Sequence, residues 1–101
     1  MFVHTVFFWM KDGMTPAEDA RFEAGLAGLL TIPQVTGGWF GKPAGTPRDV
    51  VDNSYGYGLT VLFADAAGQD VYQDCQAHLD FIAACGRFWT RVQVYDFVSN
   101  A

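Results

Sequence analysis

Positive charge is scarce in this chain. Six Lys and Arg stand against eleven Asp and Glu, for a net charge of −5. Lys11, Arg21, Lys42, Arg48, Arg87 and Arg91 are scattered rather than clustered. A nucleic-acid surface needs a basic stripe to displace counterions, so no nucleic-acid partner is expected. An anionic membrane surface is disfavoured for the same reason. No apolar run approaches the ~20 residues of a membrane span, and no basic stretch precedes the apolar start. A cytoplasmic protein is the expectation. Cysteine is equally sparse: Cys75 and Cys85 lie outside C-x-x-C spacing and read as reduced, buried hydrophobes. The two histidines, His4 and His78, lack an evident third ligand, so no metal is expected. Gly37-Gly38-Trp39-Phe40-Gly41 has the wrong glycine spacing for a dinucleotide fingerprint, and no phosphate loop, serine elbow or calcium loop occurs. No cofactor is expected.

Apolar residues, by contrast, make up 50% of the chain, and nine of its 101 residues are Phe. That composition excludes a disordered chain and suits one domain over residues 1–101, with no room for a second core. The first strand, Phe2 to Met10, is apolar on both faces. His4, Val6, Phe8 and Met10 share one face, and Val3, Thr5, Phe7 and Trp9 share the other. A strand at the surface of a small α+β domain should alternate apolar with polar. Helices can cover one face only, so a second copy of the protein is expected over the other.

Asp12-Gly13 closes that strand. Thr15-Pro16-Ala17-Glu18 then carries three helix-start signals: an N-cap Thr, Pro at the first turn and Glu completing a capping box. Phe22, Leu26, Leu29 and Leu30 form an apolar stripe along this helix, which Ile32-Pro33 is expected to end. Gly25 and Gly28 each cost about 1 kcal/mol relative to Ala in a helix, and close packing against a neighbour is one account of them. A second strand is read over 35–42, with a bulge or close approach at Gly37-Gly38. Residues 43–54 form the long, mobile loop, and 55–64 the third strand. Asp65 caps a second helix with Ala67, Val71, Tyr72 and Cys75 inward. Another helical turn or two near His78 points Leu79, Ile82 and Ala83 inward and stops at Gly86. The last strand is read over 90–98. This β-α-β-β-α-β order is the ferredoxin-like α+β unit, with both helices on one face of an antiparallel sheet.

Several stretches in order resemble one family. They are His4 with Val6-Phe7-Phe8, Ile32-Pro33-Gln34-Val35, Gly41-Lys42, Leu62-Phe63, Ala77-His78 and Val94-Tyr95-Asp96-Phe97. Together they are similar to the stress-responsive α/β-barrel (Dabb) domain. The resemblance implies a homodimer in which two four-stranded sheets face each other as a barrel, with helices outside. The family includes olivetolic acid cyclase-type plant polyketide cyclases, stress-induced plant proteins and many bacterial members without assigned activity. In the cyclases a helix-two histidine is the general base, a nearby tyrosine orients the substrate and a strand-three histidine assists. The resemblance therefore implies catalytic roles for His78, Tyr72 and His4. The chain departs from the pattern at Tyr57, which replaces the strand-three histidine, and at Cys75-Gln76-Ala77-His78, where His-Pro-x-His is commoner.

The residues themselves allow that chemistry. Neutral imidazole can take a proton at pH 7, and a helix start beside His78 would disfavour imidazolium. A tyrosine can hydrogen-bond the carbonyl of an enol-forming substrate. Val6, Phe8, Tyr57, Leu59, Val61 and Phe63 would then line a site for a small apolar or aromatic molecule between sheet and helices. Two alternatives stand beside this reading. One is a non-catalytic stress or scaffold protein with structural histidines. The other is a cofactor-free monooxygenase of the dimeric α/β-barrel class.

Overall fold

The computed structural model describes residues 1–100. Strand β1 spans Phe2–Met10 and helix α1 Pro16–Leu29, joined by a turn in which Gly13 takes a φ of 72°. The α1 N-terminus forms as its capping residues dictate. Glu18 N–H donates to Thr15 Oγ1, and Thr15 N–H donates to Glu18 Oε1, each at 3.1 Å. Phe22, Leu26 and Leu29 are buried along its inner face. The helix stops short of Ile32-Pro33, with Leu30 as C-cap.

Strands β2 (Val35–Gly41) and β3 (Tyr57–Phe63) follow, separated by a long irregular loop. The sheet closes with β4 (Trp89–Val98) in the order β2-β3-β1-β4, every neighbour antiparallel. The β2–β3 register slips between Val35 and Gly37. Gly38 then lies so close to β3 that a Cβ there would sit 2.3 Å from the Thr60 carbonyl oxygen. Only glycine fits that approach.

The second helical region is broken in two. Helix α2 (Ala66–Asp74) is capped by Asp65, whose carboxylate accepts from Gly68 N–H at 2.9 Å. Cys75, extended at ψ 156°, ends α2 and caps α3 (Gln76–Cys85); one turn of 3-10 helix at Gly86–Phe88 leads into β4. This break resets the helical phase. Leu79, Ile82 and Ala83, expected inward, are exposed, and His78, Phe81 and Cys85 are buried instead. Ala67 and Val71 are likewise exposed, leaving Tyr72 as the residue α2 buries. The new phase sets Phe81 and Cys85 against α1 at Gly25, where an added Cβ would lie 2.9 Å from Cys85 Sγ. Gly28 faces open space, so close packing does not account for it.

The core lies between the sheet and the three helices, built on Val6, Phe8, Phe22, Leu26, Leu59, Val61, Phe63, Tyr72 and Phe88. Two apolar surfaces remain uncovered. The outer sheet face presents Trp39, Tyr95 and Phe97, each more than half exposed. On the helix side, Val92 and Val94 of β4 lie beside Phe8 and Val6 but have no helix above them. That gap opens the core to one side.

Candidate functional site

The gap under β4 leads into a cavity of about 160 Å³ whose wall includes His4, Tyr72 and His78. Each of the three is placed by a different local rule. His4 follows from strand alternation, sharing the inward face of β1 with Val6 and Phe8. Tyr72 is 1% exposed and packs edge-on against Phe63, ring centroids 4.9 Å apart. His78 falls in the first turn of α3, turned inward by the break at Cys75.

The rings form a row with Tyr72 in the middle, 6.1 Å from His4 and 4.9 Å from His78 between centroids. The two histidines do not bond each other. His4 Nδ1 instead lies 2.6 Å from Asp96 Oδ1. A carboxylate only accepts, so Nδ1 carries a proton. His78 Nδ1 is closed off from solvent and has no hydrogen-bond partner. Burial pushes the His78 pKa below the usual histidine value, the nearby His4 adds to this, and Asp74 opposes it. A ring with one unpartnered buried nitrogen resists a second proton, so His78 is held neutral. Burial raises the Tyr72 hydroxyl well above the ordinary tyrosine range, assisted by Cys75. It stays a phenol, able to donate.

The rest of the wall is apolar. Phe8, Leu59 and Leu29 form the floor, Phe81 and Trp89 stack at 5.7 Å along one side, and Ile82, Val92 and Val94 edge the mouth. Of the wall residues expected from sequence, Val6, Phe8 and Leu59 reach the cavity; Val61 and Phe63 are fully buried in the core and do not. Tyr57 does not reach it either. Its hydroxyl turns away to donate to Glu23 Oε2 at 2.7 Å, and burial followed by that bond raises its pKa. The sequence reading missed Asp96, Phe81, Trp89, Val92 and Val94. Asp96 had a readable signal, since an antiparallel β1–β4 pair sets it opposite His4. Among the described residues no group of three His, Cys, Asp or Glu is placed to hold a metal ion. Among the described residues no helix is long and apolar enough to cross a membrane.

A four-stranded antiparallel sheet with its helices on one face defines the ferredoxin-like α+β class. The chain belongs to the stress responsive A/B barrel domain family, whose model matches residues 2–99. A Dabb family protein with a ferredoxin-like fold from Mesorhizobium loti superposes with a TM-score of 0.80 at 24% identity, covering 99% of this chain and 97% of that one. A dimeric ferredoxin-like protein of unknown function from Thermobifida fusca gives 0.80 at 20%, covering 97% and 90%. The hydroxynitrile lyase of Passiflora edulis gives 0.84 at 15%, covering 98% and 93%. These likenesses carry the fold. No curated protein sequence matches the chain.

Proposed function

We propose that the protein is a homodimer that binds a small single-ring molecule in the His4–Tyr72–His78 cavity. There it catalyses the making or breaking of a carbon–carbon bond next to a carbonyl. The observation that carries this reading is His78: buried, neutral and unpartnered at Nδ1, on the wall of an apolar cavity. A structural histidine would have its buried nitrogens satisfied, as His4 does through Asp96. The cavity volume argues for the ligand size, because a cavity of about 150 Å³ accommodates benzene. The dimer rests on the apolar outer sheet face and on similar structures described as dimeric. The lyase among the similar structures supports carbonyl chemistry as the class.

In this mechanism the ligand ring lies against the apolar wall that Phe8, Phe81 and Trp89 share. Tyr72 donates its hydroxyl hydrogen bond to the carbonyl oxygen, where negative charge grows as the α-carbon loses its proton. His78 accepts that proton on its unprotonated ring nitrogen and returns it after the carbon–carbon step, so the protein ends unchanged. Asp96 fixes the His4 ring across the site through its contact with Nδ1.

The test is α-proton exchange of acetophenone in D2O, followed by NMR. Exchange above background in wild type, lost in His78→Ala and in Tyr72→Phe with each variant still folded, is the expected result. Exchange that survives His78→Ala would sink the assignment.

A further inference from the structure

On the opposite side of the sheet lies a second cavity, of about 150 Å³, that the proposed chemistry leaves unused. Four aromatic rings build it. Phe7 and Tyr55 meet edge-on at 4.7 Å, Tyr95 closes one side at 6.3 Å from Phe7, and Trp9 another at 6.4 Å from Tyr55. The loop that supplies Tyr55 is tied to the strand, because Trp9 Nε1–H donates to Ser54 Oγ at 2.9 Å. Ser54 N–H in turn donates to Asp52 Oδ1 at 2.8 Å. Two opposite charges reach the same box. The Arg91 guanidinium stacks over Trp9 at 4.1 Å, and Asp52 stands on the loop wall. They are near enough for Arg91 to help lower the Asp52 carboxyl, after the hydrogen bonds from Ser54, yet they form no ion pair.

We propose that this aromatic box is a second ligand site, for a planar ring bearing a carboxylate at one end and a hydrogen-bond donor at the other. Arg91, whose forked donors are held in plane by the stack on Trp9, takes the carboxylate, with Gln93 beside it. Asp52, on the loop wall, accepts from the donor end. The four rings supply the aromatic walls against which a planar ring can pack. The box is open away from its own sheet. The proposal rests on the dimer reading for its roof, the partner's facing sheet.

The probe is 4-hydroxybenzoate, titrated calorimetrically into the full-length protein, whose mass is measured by light scattering at the same concentration. A dimer that binds the probe is expected. Arg91→Gln should weaken binding about tenfold or more, since a charge-assisted pair is lost. Asp52→Asn should also weaken it, and His78→Ala should leave it unchanged. A dimer that does not bind the probe overturns the second site. So does binding that persists in Arg91→Gln and disappears in His78→Ala, which would put the probe in the first cavity. A monomeric mass with Arg91-dependent binding retains the box and removes only its roof.

Discussion

His78→Phe should make the protein more stable and inactive at once. The His78 ring is buried, lies edge-on to Tyr72 and leaves Nδ1 with no partner. An unsatisfied buried polar group costs about 1–3 kcal/mol. A phenyl ring keeps the shape and the edge-on contact while removing that cost. Taking the lower end, a gain of about 1 kcal/mol raises the Tm of a chain this size by about 4–8 °C. The assay is thermal unfolding at pH 7.5 and fixed protomer concentration, because dimer stability depends on concentration. At that pH the histidine is neutral in both folded and unfolded chains, so titration adds nothing. Below about pH 6.5 the unfolded chain takes a proton that the folded chain, with its depressed His78 pKa, resists. Wild-type stability should therefore fall as pH drops through that value, and the gap to His78→Phe should widen. A variant that melts lower than wild type at pH 7.5 would refute the reasoning, because the ring would then be making a bond that stabilises the fold.

Three further outcomes follow from the same geometry. Asp96→Asn should keep the fold but reduce exchange activity about tenfold or more in kcat, since a loosened His4 ring no longer keeps its place on the cavity wall; wild-type kcat in this variant would remove His4 from the mechanism. Trp89→Leu should open the wall beside Phe81 and shift binding toward larger two-ring ligands, measured as the ratio of their affinities to that of acetophenone; an unchanged ratio would mean that this pair does not limit the cavity. Gly38→Ala should destabilise by about 1–3 kcal/mol in denaturant unfolding, because its Cβ would press on the Thr60 carbonyl oxygen; a neutral effect would mean β2 can shift freely.

Much of the fold could be read from local chemistry. The capping box at Thr15 and Glu18, the cap at Asp65 and the two-faced β1 each act through residues adjacent in sequence or alternating along a strand. The inward face of α3 could not be read that way. Its phase depends on an extended residue at Cys75, where the pattern offers neither proline nor glycine, and on Phe81 and Cys85 closing against Gly25 far away in the chain. His78 was legible as a candidate, but its neutrality and missing partner are products of that packing. Tyr57 shows the reverse. It shares the inward face of β3 with Leu59, yet the Glu23 carboxylate on α1 draws its hydroxyl away from the site.

The most direct measurement is a methyl NMR titration of the full-length protein with acetophenone, with leucine, isoleucine and valine methyls labelled. The account expects saturable shifts at Leu29, Leu59, Ile82, Val92 and Val94, around the cavity floor and mouth, together with the His78 ring resonances. Shifts confined to other methyls, or none at concentrations where exchange is catalysed, would contradict it.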